Sequence, residues 1–555
     1  MRETRKALYE KGRKLLENKI FKNLLYFGIP VVCFFLTLLT LGTCYDTNDD
    51  ATISNIASGA FGPESERLIY VNILLGFLLK PLYWLVPGLN WYTLLQFAAV
   101  IGCLGILNRL FAEKLGFWPG LLLGTLFTAT FGVDAFSTFQ YVKNGGILLI
   151  TGLLLVALEL GRPGARTAVG LLLTLFGSML RFENFYAVGA LAACLLVQRF
   201  LKLDKGEKKK AVLTMAALFL LVFGAEAVDI AAYRMDPAWN EFTRYNAART
   251  EISDYRIQFL QDETPLLQLG LSENDAALLK EWSFYDPPFF STEKLEQIAA
   301  ALPAHTPVLQ AVKNTLFSGA HFLFGSPAHL LFAAVLLCCL LFSDKKGLLF
   351  YLATMVMLGA LTFYLCYKGR MLGRTDFLLT AAALVLGLFC CNGGRAPAPG
   401  IRAMLCGAAV LLLCSLPYYQ ERAGIMPVYR ETHPYTLAEY GQMQGDKEHL
   451  YVCDIFYWDQ IQGYDLFHPR EAGFFSNVAF TGGWMSHTPF QRRTLERFGA
   501  ESPYQAVAEK NAYLISYTQK EKLLLYLREH YQADIELEET RQLDKFYLYR
   551  AAGPA

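Results

Sequence analysis

An acidic segment follows the first long apolar run of the chain and carries the residues best suited to chemistry. It reads Tyr45-Asp46-Thr47-Asn48-Asp49-Asp50. The adjacent carboxylates of Asp49 and Asp50 can accept a proton from a hydroxyl nucleophile, or can hold a divalent cation such as Mg²⁺ or Mn²⁺ through oxygen ligands. A solvated cluster that caps a helix is the alternative, since Asp is a favoured capping residue. We therefore predict two catalytic candidates, Asp49 and Asp50, with Asp50 also a candidate metal ligand.

Other ionisable residues recur at the ends of later apolar runs. Charged groups at membrane depth are costly and usually pair or serve a substrate path, and several cations at one membrane edge suit a phosphate ester. The candidates for binding a phosphate are Lys143, Arg181, Arg370 and Arg374. Further site candidates are Glu183, Lys80 and Asp376. Each could instead be an interfacial anchor, but the turn that holds Arg181 and Glu183 is too short to release both side chains into water.

The composition indicates that the helices that position these residues lie in a lipid membrane. The 555 residues are 54% hydrophobic and 18% charged, and the apolar residues fall in long blocks. A hydrocarbon core of ~30 Å calls for roughly 20 apolar residues per helix. The blocks predict an α-helical polytopic membrane protein with about eleven spans, near 21–43, 91–112, 116–134, 144–161, 166–181, 183–200, 211–233, 323–343, 347–367, 374–392 and 401–419.

The positive charges predict the orientation of these spans. Short lysine-rich loops stay on the cytoplasmic side, which places 202–210 inside. A cytoplasmic N-terminal segment, 1–20, agrees with this only if the apolar stretch 68–87 does not cross the membrane. A narrow polar stripe that includes Asn72 and Lys80, together with Pro81, indicates an interfacial helix. An ordinary span with a snorkelling Lys80 is the alternative.

Two polar stretches are long enough to fold outside the bilayer, and they complete the predicted domains: a transmembrane domain, 21–419, with outer loops 44–90 and 234–312, and an extracytoplasmic α/β domain, 420–555. The outer loop 234–312 looks helical, with Trp239, Phe242, Tyr245, Asn246 and Arg249 on one face that could simply pack on the membrane domain. In the last domain, 450–453, 512–517 and 545–549 are predicted strands and 520–531 a helix.

The pattern resembles the GT-C superfamily of membrane glycosyltransferases that use polyprenyl-phosphate sugars, including protein O-mannosyltransferases and lipid A aminoarabinose transferase. The resemblance covers the first span, the Asn48-Asp49-Asp50 motif, the interfacial stretch 68–87, the Gln140-Tyr141-Val142-Lys143-Asn144 edge and the large outer loop. It implies that a first-loop acidic residue is the catalytic base or a metal ligand, and that basic residues at the outer edge hold the donor phosphate. Asp49 would then be the base, with Asp50 its neighbour or a metal ligand.

The resulting hypothesis is an inverting glycosyltransferase of the cell membrane that moves a sugar from a polyprenyl phosphate to a cell-envelope acceptor on the extracytoplasmic side. The implied partners are the lipid-linked sugar, a glycan, lipid or protein acceptor, and membrane lipids, with no nucleic acid. The C-terminal domain lacks the sequence signature of oligosaccharyltransferases, which argues against asparagine glycosylation. A transporter or flippase of a lipid-linked glycan, with Glu226 and Asp229 in its path, and a non-catalytic envelope assembly protein are the alternatives.

Overall fold

Long helices make up most of the molecule. The computed structural model describes residues 18–391, 401–455, 465–509, 512–533, 535–543 and 546–552. The first half contains α1 (Lys19–Thr40), α2 (Asn48–Ala57), α3 (Ile73–Leu85), α4 (Trp91–Leu115), α5 (Phe117–Phe127), α6 (Val133–Ser137), α7 (Tyr141–Leu158), α8 (Ala165–Leu180), α9 (Phe182–Phe200), α10 (Lys205–Met235) and α11 (Pro237–Thr250). The next part contains α12 (Thr264–Gln268), α13 (Glu273–Lys280), α14 (Thr292–Ala301), α15 (Val308–Phe324), α16 (Pro327–Phe342), α17 (Lys345–Tyr367), α18 (Gly373–Cys390) and α19 (Ile401–Gln444). Most of the predicted cytoplasmic segment 1–20 lies outside the described residues.

Several of these helices are long and apolar enough to cross a membrane. Within the described residues there are seven, and eight if α15 and α16, which meet at an angle of 89°, form one broken span. A helix lies at each of the eleven predicted spans, but α8, for example, has only 16 residues. The chain is thus an α-helical protein with several candidate spans, and the count of eleven stays a prediction.

The predicted interfacial stretch forms α3, which has 13 residues. At a rise of 1.5 Å per residue it is ~20 Å long, shorter than a ~30 Å hydrocarbon core. Its polar stripe faces protein: the Asn72 amide donates to the carbonyl of Ala225 (3.0 Å), and the Lys80 ammonium pairs with Glu66 (2.9 Å). A Cβ at Gly76 would overlap the backbone of Glu66. Close packing on the loop before it therefore explains the stripe.

A two-stranded parallel pairing ties the acidic segment to the edge of α7. Strand β1 (Cys44–Tyr45) pairs with β2 (Thr138–Phe139), and the Asp46 N–H donates to the carbonyl of Phe139 (2.9 Å). Helix α7 begins two residues after β2, and nearly all of it is buried among the other helices. The acidic segment is therefore fixed to the most enclosed helix of the bundle.

The C-terminal region forms a five-stranded sheet with three helices. Its elements are β3 (Leu450–Cys453), β4 (Val478–Phe480), α20 (Pro489–Arg497), α21 (Pro503–Ala508), β5 (Ala512–Ser516), α22 (Lys520–Tyr531), β6 (Glu536–Leu543) and β7 (Phe546–Ala552). The sheet order is β4-β3-β5-β7-β6, with β3 parallel to both its neighbours and the β5-β7 and β7-β6 pairs antiparallel. Of the predicted final strand 545–549, residue 545 lies outside the described residues. The predicted boundary at 420 falls inside α19, which continues to Gln444.

The outer loop 234–312 is helical and packs against the C-terminal sheet. The predicted aromatic face of α11 is buried: Trp239 contacts Phe490, and the rings of Tyr245 and His487 stack. The Tyr285 N–H donates to the carbonyl of Thr481 (2.8 Å). A Cβ at Gly482 would overlap the carbonyl of Trp282, so glycine is needed where the two segments meet. The face therefore packs against the C-terminal region, whereas the sequence alternative was packing on the membrane domain.

Candidate active site

Asp50 is a buried structural acceptor. Its carboxylate is fully enclosed and accepts hydrogen bonds from the Tyr92 hydroxyl (2.8 Å) and from the Tyr141 N–H (3.1 and 3.3 Å to its two oxygens). Burial raises the pKa of Asp50 well above its ordinary range, and the neighbouring charge of Asp49 adds to this. The residue joins the first turn of α2 to the first residue of α7. The Asp50 carboxylate thus accepts an N–H at the start of α7, as the side chain of a helix N-cap does, although Asp50 itself belongs to α2.

Asp50 does not fit the predicted role of metal ligand. Both of its oxygens accept a backbone or hydroxyl hydrogen bond, and the residue has no exposed surface through which a cation and its waters could enter. Mg²⁺ usually keeps several waters in its coordination sphere. The surroundings of Asp50 therefore do not fit a bound metal ion.

Asp49 differs from its neighbour because its carboxylate is available. It is only partly buried, and among the described residues it makes no hydrogen bond and no ion pair. Burial raises the pKa of Asp49, while the positive charges of Arg374, Arg181 and Arg249 oppose the rise. A carboxylate with a raised pKa and no partner is suited to accept a proton.

A cavity of about 440 Å³ lies beside the acidic segment, between the ends of several helices. Its charged and polar lining comes from the acidic segment, from α6 and α7, from the α15–α16 bend, from the start of α18 and from α19. The ionisable residues that line it are Asp46, Asp134, Lys143, His321, His329, Arg374, Asp376 and Arg422. Phe131, Ala328 and Phe377 add apolar surface. The cavity thus combines a charged part with an apolar part, as an amphiphilic ligand requires.

Lys143 lines this cavity, but its charge is already balanced. Its ammonium pairs with Asp134 (2.8 Å) and Asp46 (3.2 Å) and donates to the Thr138 hydroxyl (2.9 Å). An ammonium has three protons to donate, so these three partners use all of them. The predicted role of Lys143 in phosphate binding therefore requires it to exchange partners, and its place in the structure is to hold Asp46 at the cavity wall.

Arg374 is the cation of this cavity that keeps its donors. It stands in the first turn of α18, where the helix dipole adds a partial positive charge. In the part of the chain that the structure describes, its guanidinium makes no ion pair, whereas Arg422 donates to Tyr418 (3.0 Å) and lies 3.8 Å from Asp134. A guanidinium with free donors beside a cavity is suited to a phosphate group.

Arg181 and Glu183 line a second, smaller cavity of about 140 Å³. The two side chains pair with each other (2.8 Å), and the Arg181 guanidinium also donates to the Tyr141 hydroxyl (3.4 Å) and lies over the ring of Tyr70. The charges of Arg374, in the large cavity, and of Arg181, in the smaller one, both lower the pKa of Asp49, although Asp49 itself lines neither cavity.

Two predicted site residues lie elsewhere. The Arg370 guanidinium pairs with the Asp254 carboxylate (3.2 Å), donates to the Asp254 carbonyl (3.0 Å) and lies over the ring of Tyr255. Lys80 pairs with Glu66, and neither Arg370 nor Lys80 lines either of the two cavities. Both therefore hold loops together in this structure.

Two features were missed in the sequence. His321 and His329 lie beside Asp376 in the large cavity, and no local motif connects residues on three different helices. Arg249 is almost fully buried on α11, near Asp254 (3.8 Å), with its guanidinium over Trp282. The helical spacing of the α11 face indicated that Arg249 lies with the aromatic residues, but not that its charge acts on Asp49.

Comparison with known proteins finds similarity at the level of structure only. No protein-family model matches the sequence, and the comparison with curated proteins finds no significant match. ArnT from Cupriavidus metallidurans in the apo state is 11% identical, with 95% of this chain and 97% of that chain covered and a TM-score of 0.41. The same protein bound to undecaprenyl phosphate gives a TM-score of 0.42 with the same identity and coverage. The Archaeoglobus fulgidus oligosaccharyltransferase in the apo form is 10% identical, with 92% and 72% covered and a TM-score of 0.38.

These solved structures are GT-C fold members, the superfamily that the sequence resembles. At identities of 10–11% and TM-scores below 0.5, the similarity carries no argument about the reaction.

Proposed function

We propose that this chain is a membrane glycosyltransferase of the GT-C type that transfers a sugar, with inversion, from a polyprenyl-phosphate donor to a cell-envelope acceptor on the extracytoplasmic side. One observation carries the proposal. Asp49, in the first turn of α2, lies close enough to Arg374 for the charge of this arginine to lower its pKa, and Arg374 lines a cavity of about 440 Å³ together with Asp46 and Thr47 of the acidic segment. Among the described residues, neither Asp49 nor Arg374 makes an ion pair. An inverting transfer from a phosphate ester needs a base for the acceptor hydroxyl and a cation for the leaving phosphate. Asp49 on α2 and Arg374 on α18 would supply them.

In this mechanism Asp49 accepts the proton of the acceptor hydroxyl as the oxygen attacks the anomeric carbon. The bond from that carbon to the phosphate oxygen breaks, and the polyprenyl phosphate leaves with the electron pair. Arg374 neutralises the charge that develops on the leaving phosphate, an electrostatic role that is strongest where water is excluded. Asp50 acts through position, because its hydrogen bonds to Tyr92 and Tyr141 fix the turn on which Asp49 stands.

The cavity lining also suits a lipid-linked donor. Phe131 and Phe377 line the same cavity as Arg374 and His329, so a charged head group and the first apolar units of a lipid can bind together. Of the helices that line the cavity, α7 and α18 are candidate spans and α15 with α16 is a possible broken span, which would leave the rest of a polyprenyl chain in the hydrocarbon. The bound undecaprenyl phosphate of the Cupriavidus protein is a ligand of this chemical class.

The flippase alternative has less support from the acidic residues of α10. The Asp229 carboxylate accepts the Ile73 N–H (2.6 Å) at the start of α3, and Glu226 lines the smaller cavity with it. Asp229 therefore has a packing role at the interfacial helix. The assembly-protein alternative is tested by variants of Asp49, because it makes this carboxylate dispensable.

Binding of the leaving group provides a direct test of the proposal. The purified protein in lipid nanodiscs is expected to bind undecaprenyl phosphate about 10–100-fold more tightly than undecaprenol, because a charge-assisted hydrogen bond contributes about 1.5–3 kcal/mol. Native mass spectrometry or a competition assay measures the ratio. Equal binding of the phosphate and the alcohol would contradict the donor assignment, and with it the proposed transferase.

The orientation can be tested by cysteine labelling of intact cells. The proposal expects introduced cysteines at Pro63 and Thr540 to react with a membrane-impermeant maleimide and one at Gly206 to be protected. All three positions are exposed in the structure, whereas Ala60, in the same loop as Pro63, is fully buried and would be protected on either side. Reaction at Gly206, or protection at Thr540, would reverse the orientation and place the site on the wrong side for the proposed donor.

A further inference from the structure

Two histidines and an aspartate converge at one wall of the large cavity. The Nε2 atoms of His321 and His329 lie 3.5 and 3.1 Å from the Asp376 carboxylate. One ligand atom from each of the three residues lies within 4.8 Å of the others. His321 is half-exposed and His329 is buried, so the group is anchored in the protein and open on the cavity side.

The bend between α15 and α16 creates this group. His321 and His329 are eight residues apart, which in a straight helix would separate them by ~12 Å along the axis. The two helices meet at 89°, and the imidazole centroids lie 4.8 Å apart. A Cβ at Gly325, within the bend, would overlap the His321 ring. The bend and the glycine therefore place His321 against Asp376.

The separations of the ligand atoms match those around a shared cation. Tetrahedral zinc with bonds of ~2.0–2.1 Å to nitrogen and oxygen holds its ligand atoms about 3.3 Å apart. The two nitrogen–carboxylate separations, 3.1 and 3.5 Å, lie on either side of this value. Two imidazoles and one carboxylate would leave at least one coordination position open, as in sites that bind a water or a substrate.

Neighbouring hydroxyls orient the ligands as metal sites require. The Ser326 Oγ pairs with Nδ1 of His329 (2.9 Å), which directs Nε2 of this histidine to Asp376. The Thr380 hydroxyl donates to the Asp376 carboxylate (3.4 Å). Such partners fix the ring orientation of a histidine ligand and the position of a ligating carboxylate.

We propose that His321, His329 and Asp376 form a binding site for a divalent transition-metal cation, with Zn²⁺ preferred. Imidazole ligands favour zinc and related ions, whereas Mg²⁺ favours oxygen ligands. His321, His329 and Asp376 all line the cavity that Arg374 also lines. A cation there would add positive charge for a donor phosphate, and this consequence rests on the proposed function, whereas metal binding itself does not.

Metal binding to the full-length protein tests the site without any donor or acceptor. After treatment with a chelator and dialysis against buffered free Zn²⁺, the wild-type protein is expected to hold one zinc per chain. His321→Ala and Asp376→Asn are expected to bind zinc at least about tenfold more weakly, because each removes a ligand. Mg²⁺ at the same free concentration is expected not to displace the zinc. Elemental analysis and competition with a chromophoric chelator measure these quantities.

The matched control is His468→Ala, which removes an exposed histidine that also pairs with a carboxylate, Asp465 (2.7 Å). It is expected to bind zinc as the wild type does. His321 is half-exposed, so its removal should leave the protein folded even if Asp376→Asn does not. Loss of zinc from His468→Ala as large as from His321→Ala, or a wild-type protein that retains no zinc, would overturn the proposal. If the zinc-free protein still binds undecaprenyl phosphate more tightly than undecaprenol, only the metal site has failed and the proposed function stands.

Discussion

Asp49→Asn is expected to lower the rate of sugar transfer by ~10²–10⁴-fold while the protein stays folded, because loss of a positioned general base has an effect of this size. The substitution keeps the volume of the side chain and removes only its ability to take a proton. Asp49 is partly exposed and makes no ion pair among the described residues, so its charge contributes little to packing. Transfer from a polyprenyl-phosphate sugar by protein in proteoliposomes measures the rate, and size-exclusion chromatography checks the fold.

The neighbouring aspartates are the controls for this variant. Asp50→Asn removes the charge of a buried acceptor of Tyr92 and Tyr141, so its main effect is expected on thermal stability. Asp46→Asn removes a cavity carboxylate that pairs with Lys143. If Asp46→Asn abolishes transfer and Asp49→Asn does not, the base is Asp46. Full activity of all three variants would favour the assembly-protein alternative.

The pH dependence of transfer checks the same assignment. A general base works in its deprotonated form, so transfer is expected to fall as the pH falls through the pKa of Asp49. Burial raises this pKa, so the fall should occur above the ordinary range of an aspartate, near 4. Arg374→Ala removes the positive charge that most strongly lowers the pKa of Asp49, so the fall should move to higher pH in that variant. An unchanged pH profile would show that the charge of Arg374 does not affect the pKa of the catalytic base.

The sequence predicted the elements of the site better than the pairing of its charges. Apolar blocks and the acidic segment are local features, and each predicted span overlaps at least one helix, although 116–134 covers α5, a π-helical turn and the start of α6. Whether a cation is free depends on contacts between distant segments: Lys143 is neutralised by Asp46 and Asp134, through the β1–β2 pairing and the packing of α6. No spacing rule distinguishes such a lysine from an arginine whose donors stay free.

The histidine cluster could not be predicted for the same reason. Asp376 was recognised as an ionisable residue at the end of a span, but its partners lie 47 and 55 positions earlier in the chain, at 329 and 321. The bend that unites them depends on how α15 and α16 pack against α17 and α18. Hydropathy indicated one span there, near 323–343, and this pattern contains no signal for an angle of 89° near its start.

Arg370 and Arg374 are separated by only four positions, and the structure assigns them different roles. Arg370 holds the π-helical turn Glu251–Tyr255 of the outer loop through Asp254 and Tyr255. Arg370→Ala is therefore expected to loosen this contact, which lowers thermal stability and leaves the affinity for the lipid phosphate near that of the wild type. It is the matched control for Arg374→Ala, since both changes remove one guanidinium and the two positions are only four residues apart.

Arg374→Ala is expected to weaken the binding of undecaprenyl phosphate by about 10–100-fold, because it removes a charge-assisted contact of about 1.5–3 kcal/mol. Thermal stability should change little, since Arg374 makes no ion pair within the described part of the chain. Arg374→Lys keeps the charge but loses the bidentate geometry of the guanidinium. The affinity of this variant for undecaprenyl phosphate should therefore lie between that of the wild type and that of Arg374→Ala. Affinities are measured in nanodiscs, with undecaprenol as the uncharged reference. If Arg370→Ala weakens binding of the phosphate and Arg374→Ala does not, the phosphate lies at the outer loop instead of the cavity, and the catalytic geometry proposed around Asp49 has to be abandoned.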